Sequence, residues 1–139
     1  KWEELLRRED GRILKAILHS LDPKQVDRLI DTLEQTGQFE LAPSIMYGGA
    51  LKNVEINRKG VHKGSGLAQL AAQLGLGMDA VMAIGDSDND LSMLRMAGLG
   101  VAMANAAPHI QQAADVCTGS NAEDGVAQAI YRYVLEGNT

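Results

Sequence analysis

The segment VMAIGDSDNDLSML, residues 81–94, joins an apolar run to a cluster of acids and then to a helical pattern. The apolar run, residues 81–84, predicts a buried strand. Three carboxylates follow within five positions, those of Asp86, Asp88 and Asp90. Ligands of doubly wound α/β sheets bind beyond the carboxyl ends of the strands. The acids therefore stand where a ligand would bind.

The negative charge of this loop favours a bound cation. Two carboxylates about 6 Å apart repel each other by roughly 2–3 kcal/mol at an effective dielectric constant of 20. A cation between them would turn that cost into attraction. Because Mg²⁺ prefers oxygen ligands and takes one or two protein carboxylates, the loop predicts a site for this kind of hard ion.

Two other interpretations of the acidic loop were weighed. Asp88 or Asn89 could cap the helix that begins near Asp90, which explains one or two of the polar residues but not the whole set. A calcium-binding loop has the same spacing of acids at its start. It requires Gly and Glu at later positions, where this chain has Leu91 and Ala97, so that interpretation is rejected.

Upstream, the segment GVHKGSGLAQL, residues 60–70, places Lys63 in the first turn of a predicted helix. A cation there opposes the helix dipole at a cost of about 0.3–1 kcal/mol, which marks a candidate functional residue. Lys63 and the free N–H groups of the helix would bind a phosphate, and Gly64 and Gly66 would let it approach. The alternative is a solvated surface lysine, and His62 is interpreted as a surface or supporting residue.

The chain around these motifs changes character near residues 57–62. Before this point a strand, a helix and a hairpin are expected, with Asp22 capping the helix, Pro23 as its first residue and Gly37 ending it. After it, strands and helices alternate and the strands are continuously apolar. That pattern predicts a parallel sheet covered on both faces.

Composition excludes several classes of protein. The net charge of −5 and the aromatic fraction of 4% argue against nucleic-acid binding. The single cysteine, Cys117, cannot form an internal disulfide and is expected to pack in a buried strand. No segment is apolar enough to span a membrane and none has the pattern of a signal peptide. A soluble cytoplasmic protein is the default expectation.

The two motifs together resemble the haloacid dehalogenase superfamily, and within it the Cof-type sugar phosphatases. The matching segments are GVHKGSGLAQLAAQLGL, MAIGDSDNDLSML, AGLGVAMANA and NAEDGVAQAI. The resemblance implies the C-terminal half of a doubly wound Rossmann-like parallel sheet plus the end of an α+β cap. Residues 1–58 would be the C-terminal part of the cap, and residues 59–139 the C-terminal part of the catalytic core.

The resemblance also implies roles for individual residues. Lys63 would be the catalytic lysine that neutralises the phosphoryl oxygens. Asp86 would hold Mg²⁺, and Asp90 would support the ion or its waters and the lysine. Asn89 would contact the phosphate, whereas Asp88 matches a variable position and receives no role. The acids and the lysine are thus expected to face one phosphate.

One family motif is missing. The nucleophilic aspartate of the family lies in an Asp-x-Asp-Gly-Thr segment, and Asp10–Gly11 is the nearest candidate but does not match. We therefore expect this chain to be the C-terminal part of a longer enzyme that forms an aspartyl-phosphate, and to be inactive alone. Its exposed sheet edge is expected to self-associate or to pair with the missing segment.

The leading functional hypothesis is Mg²⁺-dependent hydrolysis of small phosphorylated metabolites by that longer enzyme. A second hypothesis is a non-catalytic module that binds phosphate or Mg²⁺ and has lost its nucleophile. A third is a structural α/β domain whose acids only cap a helix. A small phosphate ester is the expected partner of the first, and no nucleic acid or membrane partner is expected.

Overall fold

The structure, a computed structural model, describes residues 4, 8 and 14–136. The segment WEELLRRE before Gly11 predicts the end of a helix; of residues 1–11 the structure describes only Glu4 and Arg8, both helical. Contacts between Cα atoms group the chain into two compact units, Lys1–Val61 and His62–Thr139. The assignment of these units to a cap and a catalytic core stays a prediction.

The first unit contains three strands and one helix. In chain order these are β1 (Lys15–Ser20), α1 (Pro23–Glu34), β2 (Phe39–Met46) and β3 (Leu51–Arg58). As predicted, Asp22 caps α1, since its carboxylate accepts the N–H of Lys24 at 3.1 Å. Gly37 and the two hairpin glycines, Gly48 and Gly49, have positive φ angles that favour glycine.

The sheet of the first unit is antiparallel with the order β1-β3-β2. Leu18 and Pro43 pair with Val54 from either side. Val54 on the central strand is fully buried, and Val26 of α1 is 3% exposed. The predicted strand, helix and hairpin are confirmed in the described residues, and α1 supplies the apolar side chains that the sheet needs to bury one face.

The second unit is an alternating α/β structure. Its regular elements are α2 (Lys63–Gln73), β4 (Met82–Gly85), α3 (Leu91–Met96), β5 (Leu99–Met103), α4 (Pro108–Gln111), β6 (Val116–Thr118) and α5 (Gly125–Ile130). The three strands are parallel, with the order β4-β5-β6. Their carboxyl ends therefore share one edge of the sheet, which is the edge where the acidic loop emerges.

The core of the second unit lies beside β4 and β5. Leu94 of α3 is 1% exposed and packs in one cluster with Ala83, Ala106 and Ile110. Val101 on the central strand β5 is completely buried. The predicted α/β fold with a parallel sheet is confirmed, and its buried cluster includes Leu94 of α3, the helix that follows the acidic loop.

Two predictions about the end of the chain were wrong. Cys117 lies in a strand but is exposed, because among the described residues β6 is an edge strand paired only with β5. The segment AEDGVAQAIYRYVLEG, residues 122–137, predicts one continuous last helix. Instead a short 3₁₀ turn, Asn121–Glu123, precedes α5, because Asp124 between them is left-handed with φ of 56°.

Of the described helices, none has the length and apolar character needed to cross a membrane.

Candidate functional site

The acidic loop is organised around the side chain of Asp90. Strand β4 ends at Gly85, and a 3₁₀ turn, Asp88–Asp90, leads into α3. The Oδ2 atom of Asp90 accepts the backbone N–H groups of Asp86 at 3.0 Å and Ser87 at 3.1 Å. Asp90 is thus the residue that closes the turn. A side chain at Gly85 would meet the Cβ of Asp90 at 2.5 Å, so the turn needs glycine there.

The same carboxylate binds Lys63. Its Oδ1 atom lies 2.5 Å from the Nζ of Lys63. The side chain of Asp90 is 6% exposed and that of Lys63 is 49% exposed. The structure therefore brings Lys63 to the acidic loop, as expected, and leaves much of its side chain accessible. A buried carboxylate that holds a half-exposed ammonium fixes the position of a positive charge at the sheet edge.

The N-terminus of α2 differs from the prediction. Nδ1 of His62 accepts the N–H of Ser65 at 3.1 Å, so His62 is the cap of this helix. The N–H of Gly64 donates to Oγ of Ser92 at 3.0 Å. These two N–H groups are used within the protein, and the expectation that free N–H groups would bind the phosphate was wrong for them. The ammonium of Lys63 is the group available to an anion.

Gly64 has a different role from the one predicted. It is buried, and a Cβ at this position would lie 2.7 Å from both the Sδ of Met96 and the carbonyl oxygen of Ser92. Glycine is needed there so that α2 and α3 can pack closely, not to admit a ligand. Gly66 does border open space.

Asp86, the first acid of the loop, is exposed, and among the described residues the hydrogen-bond partners of its carboxylate are neutral side chains. Its Oδ1 accepts the hydroxyl of Ser87 at 3.0 Å, and its Oδ2 accepts the Nδ2 of Asn105 at 2.9 Å. Asn105 follows β5, the neighbouring parallel strand. No motif of the sequence pointed to a role for Asn105, although its place just after a strand was a signal that could have found it.

The other two polar residues of the loop point to different partners. Asp88 lies 2.6 Å from the Nε2 of His109, and both side chains are about half exposed. Asn89 has a buried Oδ1 for which the described residues provide no hydrogen-bond partner. Neither residue forms the helix cap that the alternative interpretation required; Ser87 is at the cap position of the turn and Asp90 at that of α3.

Among the oxygen ligands of this loop, the carboxylate of Asp86 fits Mg²⁺ best. This carboxylate is exposed and, within the described part of the chain, accepts hydrogen bonds from the neutral side chains of Ser87 and Asn105, so its oxygens suit a hard cation. Asp90 is nearly buried and already accepts three hydrogen bonds. Within the described part of the chain, no group of three or more His, Cys, Asp or Glu side chains could hold a metal. Asp90 therefore fits the task of holding Lys63 better than direct ligation.

Comparisons with known proteins agree with this architecture. The family model described as haloacid dehalogenase-like hydrolase matches residues 2–130. The 5-amino-6-(5-phospho-D-ribitylamino)uracil phosphatase YcsE of Bacillus subtilis is 49% identical over 109 residues, which are 78% of this chain and 42% of that protein.

Solved structures show the same relationship. A haloacid dehalogenase-like hydrolase from B. subtilis superimposes with a TM-score of 0.81 and 31% identity, over 96% of this chain and 46% of that one. A sugar phosphatase of subclass IIB superimposes with a TM-score of 0.65 and 30% identity, over 78% of this chain and 40% of that one. The chain thus spans less than half the length of each of these relatives. It belongs to the haloacid dehalogenase-like hydrolases, in the Cof-type branch that the sequence motifs indicated.

Proposed function

We propose that this chain is part of a phosphatase that hydrolyses small phosphorylated metabolites, in particular sugar-phosphate-like monoesters. Two relatives support the substrate class: one is named for a phosphoribityl compound and the other is a sugar phosphatase. Both act on a phosphate carried by a polyhydroxylated carbon chain. The proposal for this chain goes no further than that shared chemistry.

The observation that carries the proposal is the contact between Lys63 and Asp90, at 2.5 Å, in the same loop as an exposed Asp86. A structural domain that only capped a helix would not need a lysine held by a nearly buried carboxylate. The arrangement places a positive charge and an available negative charge at the carboxyl edge of the sheet. Phosphoryl transfer depends on positioned charges of this kind.

Each residue receives one task in this proposal. Lys63 binds and neutralises the phosphoryl oxygens, and Asp90 holds its ammonium in place. Asp86 is the direct protein ligand of Mg²⁺, and Asp90 supports that ligand through the backbone N–H of Asp86. Asn89 contacts the phosphate. Bound Mg²⁺ would supply further neutralisation of the developing negative charge.

We further propose that the nucleophile comes from another part of a longer enzyme. The 139 residues contain no Asp-x-Asp-Gly-Thr segment, so this chain would supply the lysine and the acidic loop but not the aspartate that is phosphorylated. We also retain the expectation that the free edge of the sheet is covered by self-association or by the remainder of that enzyme. The chain alone would bind its ligands without turning them over.

The isolated chain is therefore expected to release no phosphate from sugar phosphates or from p-nitrophenyl phosphate, with or without Mg²⁺. The reason is chemical, because no aspartate of the required motif is available for attack. A phosphate-release assay on the purified chain, judged against a chain-free blank, measures this. Mg²⁺-dependent turnover would overturn the assignment of the nucleophile to another segment.

Mg²⁺ is expected to stabilise the isolated chain through Asp86. At one hundred times its dissociation constant, an ion that binds only the folded state adds about 2.7 kcal/mol to the free energy of unfolding. Urea unfolding with and without Mg²⁺ measures the gain. Asp86→Asn should lose most of it, whereas Asp88→Asn makes the same charge change in the same loop and should keep it. Equal responses from the two variants would contradict the role of Asp86.

The second candidate function, a non-catalytic module that binds phosphate or Mg²⁺, shares this site and predicts the same stabilisation. The phosphatase and the binding module are distinguished by the sequence of the longer protein to which this chain would belong. If the residues joined to this chain include an apolar strand followed by Asp-x-Asp, the phosphatase is favoured. If they do not, the binding module is.

A further inference from the structure

We propose that Asn105 is a positioning residue that fixes the carboxylate of Asp86 for metal binding, and that the backbone N–H of Asn121 fixes Asn105 in turn. This inference rests on the proposed function, since it takes Asp86 as the Mg²⁺ ligand. It adds two groups from distant parts of the sequence. Asn105 is 19 residues from Asp86, and Asn121 is 16 residues beyond Asn105.

The contacts form a continuous chain of hydrogen bonds. The Nδ2 of Asn105 donates to Oδ2 of Asp86 at 2.9 Å. The backbone N–H of Asn121 donates to Oδ1 of Asn105, also at 2.9 Å. Asn105 follows β5, and Asn121 begins the 3₁₀ turn after β6, so the loops that follow the three neighbouring strands of the parallel sheet each contribute one member.

The backbone N–H of Asn121 determines which way the amide of Asn105 points. A backbone N–H can only donate, so the atom of Asn105 facing it must be the oxygen. The NH₂ group of Asn105 must then face Asp86. With the amide reversed, its oxygen would face the carboxylate and its NH₂ group would face the N–H, and both contacts would be repulsive. The N–H of Asn121 thus selects the orientation that holds Asp86.

The loop that presents this N–H is itself closely held. The Oε2 of Glu123 accepts the N–H of Ser120 at 3.1 Å and its hydroxyl at 2.7 Å. These hydrogen bonds, first to the side chain and then to the backbone of Ser120, lower the pKa of Glu123 below its usual value. The N–H of Gly125 donates to the carbonyl oxygen of Ser120 at 3.0 Å, and a Cβ at Gly125 would collide with the carbonyl oxygen of Gly119 at 1.9 Å.

This arrangement suits a metal ligand on an exposed loop. An exposed aspartate can rotate about its side-chain bonds, and binding an ion then costs the entropy of ordering it. A neutral amide donor restricts the carboxylate without cancelling the charge that attracts the ion. Groups that hydrogen-bond to metal ligands in this way typically contribute about 10–100-fold to metal affinity.

The structure allows the N–H of Asn121 to be removed on its own. Asn121 is the first residue of its 3₁₀ turn, a position that tolerates proline. Ser120 before it has φ of −73° and ψ of 170°, which is the conformation that a following proline favours. Asn121→Pro therefore deletes the donor with little strain, and Asn121→Ala is the matched control that keeps the N–H.

The test is a Mg²⁺ titration of the full 139-residue chain, in which binding is monitored through the shift of the unfolding midpoint. We expect the dissociation constant to rise about 10–100-fold in Asn105→Ala and about 3–10-fold in Asn121→Pro, but less than about twofold in Asn121→Ala. The double variant Asn105→Ala/Asn121→Pro should bind no more weakly than Asn105→Ala alone, because the second change acts only through Asn105. Additive losses, or equal losses in the two variants at Asn121, would overturn the inference.

A metal-free measurement separates this inference from the proposed function. The side-chain NH₂ signals of Asn105 in ¹⁵N-labelled chain should shift in both Asp86→Asn and Asn121→Pro, and stay in place in Asn121→Ala. If the wild-type chain shows no Mg²⁺ response, the metal role of Asp86 fails, and with it the metal part of the inference. If the NH₂ signals of Asn105 shifted in neither Asp86→Asn nor Asn121→Pro, the proposed chain of hydrogen bonds would be overturned.

Discussion

Replacing Lys63 with Met is expected to lower phosphate-ester hydrolysis by the proposed longer enzyme by about 10²–10³-fold, the loss typical of removing one group that stabilises charge in the transition state. Met keeps the length of the side chain but has no ammonium. The phosphoryl oxygens then lose the positive charge that Asp90 holds at the sheet edge. Steady-state kinetics of phosphate release measure the effect, and the loss should appear mainly in kcat.

Lys59→Met provides the control for this prediction. Lys59 is exposed, lies four positions earlier in the chain and belongs to the other compact unit. Its removal makes the same change in net charge and should leave the rate within about twofold, as expected for a surface substitution. Lys63→Arg keeps a positive charge in a different shape and should recover part of the rate. If Lys63→Met hydrolysed its substrate as fast as Lys59→Met, Lys63 would have no catalytic role.

Leu94→Ala is expected to destabilise the second unit by about 2–5 kcal/mol, the usual cost of emptying the place of a buried leucine. Leu94 is 1% exposed and packs against Ala83, Ala106 and Ile110. Two of these neighbours are alanines, and their methyl side chains are too short to move into the space. The loss is a large share of the roughly 5–15 kcal/mol by which ordinary domains are stable.

Urea unfolding of the isolated chain tests this prediction, with Leu70→Ala as the control. Leu70 lies on α2 in the same unit and is 53% exposed, so its truncation should change stability by about 0.5 kcal/mol or less. Because α3 begins directly after the acidic loop, we expect Leu94→Ala also to weaken stabilisation by Mg²⁺. Equal midpoints for the two variants would show that the cluster around Leu94 is not the core of this unit.

Much of the fold could be predicted from short segments of the sequence. The helix α1 was located by Asp22 and Pro23, whose roles the structure confirms, and by Gly37, which has a positive φ but lies three residues after the helix ends at Glu34. The strand β4 was located by its apolar run and the acids after it. These signals work because periodicity, caps and turn glycines act within a few residues of one another, so one segment contains the whole cause.

Two predictions were wrong because they depended on parts of the chain that are distant in sequence. Gly64 was expected to admit a ligand, but the backbone of Ser92 fills the space in front of it. Cys117 was expected to be buried, because an apolar strand pattern does not show whether the strand lies at the edge of its sheet. In both cases the deciding factor is the placement of another element of the fold: the close approach of α3 to Gly64, and among the described residues the lack of a strand beyond β6.

The sequence by itself determined the parallel α/β architecture and the family, and it identified the lysine and the acids that are the candidates for the chemistry. Only the tertiary structure decided how they are joined: Asp90 closes its own turn and holds Lys63, 27 residues away, and Asn105 holds Asp86. The reason is physical. Residue type and spacing encode local conformation, whereas a hydrogen bond between separate strands and helices exists only once the sheet has brought their ends to one edge.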